Sequence, residues 1–289
     1  MCQYAESGRD AHLFQLAFGR RSDEELYDLK KDPDQMVNVA NDSAYAATRR
    51  QFSEQLTVEL RQFGDPRFAL ADHATFLVNG WTIHLNDRLW SESPAATRRM
   101  LGLLSGQLDR VIETLPAKAL KHLRAVPIWI NPPYEGKRPT AEYHPDAAWL
   151  RKAGRNPAMA KGIELTNVAI FSFENKRMPF LLLHELAHSY HDQVLGFDQP
   201  QIIAAFKRAR DSGAYDKVKR FNGKKIVTDK AYAMNNHKEY FAECTEAFFG
   251  KNDFYPFDRK ELKAHDPRIC EILRKVWGVR DSPGPTKTK

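Results

Sequence analysis

The sequence predicts an α+β fold with a mixed sheet, because strand-like and helix-like segments are interleaved along the 289 residues. Asn79-Gly80, a dipeptide favoured by two-residue hairpin turns, separates two strand-like runs, Thr75–Val78 and Trp81–Leu85. Ser93-Pro94 then begins a helix whose apolar residues recur at helical spacing from Leu101 to Leu115. A composition of 42% hydrophobic and 28% charged residues is sufficient for a buried core.

The later elements follow from the same patterns of spacing, capping and turn residues. Gly196, Gly213 and Gly250 each follow a helical pattern and are expected to end it. In chain order, the predicted elements are a strand at 126–130, a helical stretch at 143–155, a strand at 163–173, helices at 178–194 and 200–210, a hairpin around Asn222-Gly223, and helices at 236–249 and 266–277. Residues 168–173 are either an edge strand that pairs with an extended substrate or a plain core strand.

The chain is predicted to divide near Gly64-Asp65-Pro66-Arg67, where the balance of charge changes. Residues 1–67 hold 9 Lys and Arg against 12 Asp and Glu, whereas the remainder holds 35 against 25. We therefore expect a separate α+β domain at 68–280. The polar, proline-containing residues 281–289 are predicted to be a disordered tail.

The segment before this boundary is predicted to be a small strand and helix appendage. An extended piece at 25–29 and a turn at 32–34 precede a helix at 42–63, which Asp42 or Ser43 is placed to cap. One strand, one turn and one helix bury too little apolar surface to form a domain alone.

This segment also resembles a known family. Residues 24–36 read Glu-Glu-Leu-Tyr-Asp-Leu-Lys-Lys-Asp-Pro-Asp-Gln-Met, and with Asn38 and the helix they resemble the C-terminal tail of sulfatases, over about residues 12–67. The family's nucleophile signature, Cys-or-Ser-x-Pro-x-Arg, is missing; Ser93-Pro94 comes nearest and has the wrong spacing. No sulfatase site residue is therefore carried over, and hydrolysis of sulfuric esters is disfavoured.

The strongest chemical signal is His184-Glu185-Leu186-Ala187-His188. Two histidines at i and i+4 lie on one face of a helix, where both imidazoles can bind one zinc ion. Glu185 lies about 100° further round the helix, so it can reach a water molecule on the metal as the general base without being a ligand. Uncharged neighbours indicate a buried helix, in which that much polarity is costly unless a metal is bound.

Zinc needs a third protein ligand, which must come from another segment. The predicted helix 236–249 presents Glu239 and Glu243 one turn apart beside aromatic residues. In one arrangement Glu239 is the ligand and Glu243 accepts the remaining N–H of a zinc-bound imidazole, which fixes its tautomer. In the other, Glu243 is the ligand and Glu239 lies outside it.

These motifs together resemble a peptidase family. His184-Glu185-Leu186-Ala187-His188, then Tyr232, then Glu239-Tyr240-Phe241-Ala242-Glu243 are similar to the catalytic domains of anthrax lethal factor and the Pro-Pro endopeptidases, which are gluzincins. The resemblance is specific over residues 163–250 and is extended to 68–280. It implies a zincin-like fold, Zn²⁺ as cofactor, Glu239 as the third ligand, and Tyr232 as a hydrogen-bond donor to the oxyanion.

The sequence therefore predicts a zinc metalloendopeptidase that hydrolyses peptide bonds with a metal-activated water. Two alternatives remain open: a zincin-fold binding module without turnover, and a fragment attached to a sulfatase. Glu185 and Tyr232 disfavour the first alternative, because a scaffold has no physical need for either.

The composition also indicates which partners to expect. A net charge of +7 comes without a nucleic-acid motif, and no run approaches the ~18 apolar residues of a membrane span. Cys2, Cys244 and Cys270 are too dispersed for a disulfide framework or a cysteine zinc site. We expect a peptide or protein substrate and no nucleic acid, membrane or oligomer. No secretory signal is visible, so a cytoplasmic location is expected, or an extracellular one if the true start is missing.

Overall fold

The computed structural model describes residues 22, 24–63, 65 and 70–279. They fall into two compact units, one ending at Arg61 and one beginning at Gln62. Three sequence-based expectations lie wholly or partly outside the described residues. These concern the tail at 281–289, junction residues 64, 66 and 67, and positions 12–21 of the sulfatase-like segment.

The first unit contains the helix that the apolar spacing predicts. Helix α1 (Ala46–Phe63) follows a short 3₁₀ turn, Ser43–Tyr45. Asp42 is the cap of this turn, since its side chain accepts a hydrogen bond from the Ala44 N–H at 2.9 Å.

The strand expected at 25–29 is wrong. These residues belong to no strand within the described part of the chain. The Leu26 N–H donates to the side chain of Asn38 at 3.0 Å, and the Leu26 carbonyl accepts from the Val39 N–H at 2.8 Å. A loop contact thus satisfies backbone groups that a strand would pair with a neighbouring strand.

The second unit is an α+β fold built on a mixed sheet of five strands in the order β1-β2-β3-β5-β4. The β1/β2 and β4/β5 pairs are antiparallel, and β2/β3 and β3/β5 are parallel. Strand β4 is therefore an edge of the sheet. The strands are β1 (His73–Val78), β2 (Trp81–Asn86), β3 (Ile128–Ile130), β4 (Ala141–Tyr143) and β5 (Ile163–Leu165).

The hairpin of β1 and β2 confirms the turn prediction. Asn79 and Gly80 have φ values of 51° and 89°, in the left-handed region that two-residue hairpin turns require. A second antiparallel hairpin consists of β6 (Val218–Phe221) and β7 (Ile226–Asp229), joined through Asn222-Gly223.

The sheet and the helices share one hydrophobic core. Ile83, Ile128 and Ile163 are fully buried and belong to the same cluster as Leu104 of the long helix α3 and Leu183 of the central helix α7. The helices are α2 (Asp87–Glu92), α3 (Pro94–Thr114), α4 (Ala117–Leu123), α5 (Ala147–Lys152), α6 (Phe171–Arg177), α7 (Leu181–Tyr190), α8 (Pro200–Asp211), α9 (His237–Phe249), α10 (Arg259–His265) and α11 (Pro267–Val276).

The sequence prediction is wrong for most of 163–173. Only residues 163–165 form a strand, and a 3₁₀ turn (Val168–Ile170) and helix α6 follow. Phe171 and Glu174, three residues apart, are both buried, as expected on the inner face of a helix. The candidate edge strand at 168–173 is therefore helical, and β4 is the edge strand on this side of the sheet.

The stretch 143–155 is also divided differently from the prediction. Tyr143 ends strand β4, and Asp146 begins helix α5 by accepting a hydrogen bond from the Trp149 N–H at 2.9 Å. The helix is also shorter than the predicted range 178–194. Helix α7 covers 181–190, and one π-helical turn, His191–Leu195, follows it.

Candidate metal centre

Helix α7 carries both predicted histidine ligands on one face. His184 and His188 are one turn apart, and their Nε2 atoms are 3.1 Å from each other. Two ring nitrogens this close together can both be ligands of one metal ion. Every residue of α7 except His188, which is half-buried, is buried.

Helix α9 brings Glu239 to the same point. Asn236 caps this helix by accepting hydrogen bonds from the N–H groups of Lys238 and Glu239. The Glu239 Oε2 atom is 3.2 Å from the Nε2 atoms of both His184 and His188. Glu239 therefore occupies the third-ligand position.

The three donor atoms fit a metal ion. Ligands about 2.1 Å from a tetrahedral ion are about 3.4 Å from one another. The three distances here are 3.1, 3.2 and 3.2 Å. Two imidazoles and one carboxylate leave one position for water or substrate, which is the arrangement of catalytic rather than structural sites. This buried group of histidines and glutamate can hold a metal ion.

The electrostatics couple His184 to Glu239. Burial opposes ionisation of both side chains, yet hydrogen bonds with Glu239 and Glu246 raise the pKa of His184 well above its ordinary value. The pKa of Glu239 is held far below its ordinary range, since its burial is outweighed by hydrogen bonds from His184 and His188. Burial lowers the pKa of His188, which favours the neutral form of the imidazole that can bind a metal.

The second nitrogen of His184 is bonded to Glu246. Its Nδ1 is 2.7 Å from Glu246 Oε1 and 3.9 Å from Glu243 Oε1. Glu243 instead accepts a hydrogen bond from the Asn252 side chain at 2.9 Å. The tautomer-fixing contact that the sequence assigns to Glu243 is thus made by Glu246, two helical turns after Glu239.

Two other groups of metal-binding residue types occur among the described residues. One shares His184 and combines it with Glu243 and Glu246. The other contains Glu142, His144 and Glu164, but the Glu164 carboxylate already accepts hydrogen bonds from Asn131, Tyr134, His144 and Arg155. A carboxylate with four donors has no free lone pair for a metal. The group that contains Glu164 is therefore a hydrogen-bonded network and not a metal site.

Glu185 faces the cleft next to the ligands. Its Oε2 accepts a hydrogen bond from the backbone N–H of Tyr143 at 2.9 Å. Burial raises the pKa of Glu185 to about 8. A carboxylate whose proton affinity is raised in this way is suited to accept a proton and then return it.

Tyr232 begins a 3₁₀ turn, Tyr232–Met234, shortly before helix α9. It lines the same cleft as His184 and Glu185. Burial raises the pKa of Tyr232, so its phenol stays protonated and can donate a hydrogen bond. The sequence-predicted residues His184, Glu185, His188, Tyr232 and Glu239 thus meet in one place.

Two adjoining cavities form the cleft. The Arg138 cavity, named after one of its lining residues, has a volume of about 400 Å³, and the Trp149 cavity, named likewise, about 390 Å³. They meet at the candidate metal centre, and the residues that line both are Thr140, Ala141, Glu142, His184, Glu185 and Tyr232.

Strand β4 forms one wall of the cleft and exposes its free edge there. The Thr140 carbonyl and the His144 N–H are hydrogen-bonded towards β5, to Thr166 and Gly162. Backbone groups alternate along an antiparallel strand, so those of Ala141 and Tyr143 point away from β5. The bond from the Tyr143 N–H to Glu185 confirms this direction.

Sequence reasoning missed two features of the site. Glu246 lies seven residues after Glu239, a spacing that places both on one helix face, so a signal for it was present. The contact of the Tyr143 backbone with Glu185 had no such signal, because it depends on which strand forms the edge of the sheet.

Comparison of the chain with models of protein families, with curated proteins and with solved structures found no match. Among the described residues, no helix has the length and apolar character needed to cross a membrane.

Proposed function

We propose that the chain is a zinc-dependent metalloendopeptidase, with a zincin-like, gluzincin-type domain following residue 67. The observation that carries this proposal is the convergence of His184, His188 and Glu239 within 3.2 Å of one another beside Glu185. Peptide hydrolysis makes use of each of these groups, and Tyr232 adds a donor on the same cleft.

Zinc, when bound by these three residues, lowers the pKa of a water molecule and polarises the scissile carbonyl. Glu185 accepts the proton of the attacking water and later transfers it to the leaving amine. The Tyr232 hydroxyl donates a hydrogen bond to the carbonyl oxygen, where negative charge develops only during the reaction. Glu246 keeps the imidazole of His184 in the tautomer whose Nε2 is free to bind the metal.

An extended peptide is proposed to pair with the free edge of β4. The backbone groups of Ala141 and the carbonyl of Tyr143 point into the cleft, whereas the Tyr143 N–H is bonded to Glu185. Adding a strand there would place a peptide bond next to Glu185. This assigns to β4 the role that sequence reasoning gave to 168–173. Binding through backbone groups suits an endopeptidase, because such contacts are available at any position of a polypeptide.

Glu185→Gln tests the proposal. The variant should retain zinc, because Glu185 is not a ligand, and should lose hydrolysis of an unfolded protein substrate by about 100-fold or more, because the proton acceptor is gone. Glu113→Gln, at an exposed carboxylate of α3, is the matched control. Metal content by mass spectrometry and cleavage rate are measured together. A Glu185→Gln protein with full activity contradicts the proposed role.

A further inference from the structure

Among the described basic side chains that line the Arg138 cavity, the guanidinium of Arg138 has no partner. Arg138 is exposed on the loop before β4 and makes no hydrogen bond or ion pair with any described residue. The adjacent Lys137 does not line the cavity. An unpaired guanidinium in a substrate cleft offers five donors in a geometry that matches a carboxylate.

The other basic residues of this cavity are already neutralised. Arg177 is 2.5 Å from carboxylate oxygens of both Glu174 and Asp253. Arg220 is 3.0 Å from Asp229 and 3.6 Å from Asp253. These side chains are bound to protein carboxylates, so they contribute little to attracting a ligand.

The acidic residues of the cavity are also engaged. Glu142 is 2.6 Å from Arg155, Glu185 is bonded to the Tyr143 N–H, and Glu243 to the side chain of Asn252. Glu174 and Asp253 are paired with Arg177. Arg138 is therefore the one charged side chain lining this cavity that has no bonded partner among the described residues.

The direction of β4 indicates which part of a peptide reaches Arg138. Residues 138–142 line the Arg138 cavity, whereas 140–146 line the Trp149 cavity. A peptide paired antiparallel to β4, the more stable arrangement, runs in the opposite direction. Its residues after the scissile bond then lie in the Arg138 cavity, beside the apolar side chains of Met178 and Leu181.

We infer that Arg138 selects substrates with a carboxylate on the C-terminal side of the scissile bond. The carboxylate belongs either to an Asp or Glu side chain or to the end of the peptide chain, and the chemistry of recognition is the same. This inference rests on the proposed peptidase function and names its substrate class. Arg138 acts in binding, at a distance from the reacting atoms.

The test uses two sets of peptides cleaved by the zinc-loaded protein. One set pairs Glu with Gln at each position after the cleaved bond, and the other pairs a free C-terminus with its amide. We expect Arg138→Gln to raise KM about tenfold for the carboxylate-bearing member and leave kcat unchanged, because a charge-assisted hydrogen bond is lost equally from ground and transition states. KM for the neutral member should not change.

Lys137→Gln is the matched control, because it removes the same charge from the same loop outside the cavity. It should leave the preference for the carboxylate intact. Equal effects of Arg138→Gln and Lys137→Gln would mean general charge attraction and would overturn the inference. Preferences that persist in both peptide sets in Arg138→Gln would also overturn it. Whichever set loses its preference identifies the source of the carboxylate.

Binding to an inactive protein separates this inference from the proposed function. Fluorescence anisotropy with labelled Glu and Gln peptides is measured on Glu185→Gln, with and without Arg138→Gln. A tenfold weaker Kd for the Glu peptide alone supports recognition by Arg138 without any turnover. Unchanged Kd values overturn the inference and leave hydrolysis intact, whereas failure of the wild-type protein to cleave any peptide overturns both proposals.

Discussion

His184 is held between carboxylates at both of its ring nitrogens. Glu239 is 3.2 Å from Nε2, and Glu246 is 2.7 Å from Nδ1. The Glu246 contact is fully buried, so it is not weakened by competition with water. A histidine oriented in this way presents the same nitrogen to a metal at all times, which removes the cost of choosing a tautomer on binding.

Glu246→Gln should weaken zinc binding by about 10-fold to 100-fold, because the amide is a poorer acceptor for the His184 N–H. Glu243→Gln is the matched control one turn earlier and should change affinity less, since Glu243 is 3.9 Å from that nitrogen. Competition with a chromogenic chelator measures both affinities. A larger loss for Glu243→Gln would show that Glu243 is the partner of His184 in solution.

At the scale of elements, the edge strand β4 is fastened to the end of the metal-ligand helix. The Tyr143 hydroxyl donates to Asp192 at 2.7 Å, and Lys161 is 2.6 Å from the same oxygen. The Gln193 amide donates to the Tyr143 hydroxyl at 3.1 Å. Asp192 and Gln193 lie in the π-helical turn after α7. This turn therefore fixes the strand whose backbone N–H positions Glu185.

Tyr143→Phe should lower kcat several-fold while zinc content stays the same. The change removes the hydroxyl from Asp192 and loosens β4, so Glu185 is held less well, whereas the metal ligands are unaffected. Tyr255→Phe, at a half-buried ring outside the cleft, is the control and should be neutral. Steady-state kinetics and metal analysis give the two readouts. An unchanged kcat would mean that β4 keeps its position without this contact.

At the scale of the whole second unit, one tryptophan joins the two ligand helices from behind. The Trp277 ring is stacked 4.1 Å from Tyr190 of α7 and 6.0 Å from Phe241 of α9. Its indole N–H donates to Thr245 at 3.3 Å. Aromatic packing holds the two helices at one side, and a metal bound by His184, His188 and Glu239 would hold them at the other. On the proposed function, metal binding and folding of this unit are expected to be coupled.

Removal of zinc should lower the thermal stability of the second unit. A ligand present at a thousand times its Kd stabilises the folded state by about 4 kcal/mol, which for a unit of this size corresponds to roughly 10 °C in Tm. Calorimetry with and without a chelator measures the shift. Glu239→Ala lacks one ligand, and its Tm should respond much less to the chelator. An equal response of both proteins would place the stabilising metal elsewhere.

Local patterns in the sequence were sufficient to predict several elements of the second unit. The Asn79-Gly80 hairpin, the long helix from Pro94, and the pairing of His184 with His188 on one face all depend on residues within a few positions of each other. Such features are decided by backbone conformation and helical period, which the sequence encodes directly.

Contacts between distant segments decided the rest. Residues 168–173 have strand-like composition, yet β5 already has β3 and β4 as its two neighbours, and the chain turns into helix α6 instead. Glu246 rather than Glu243 reaches His184 because the relative rotation of α7 and α9 fixes which carboxylate faces the imidazole. The sequence by itself determined which residue types could bind a metal. Only the tertiary structure determined which of them meet, because strand order and helix rotation minimise the free energy of the whole core and not of any one segment.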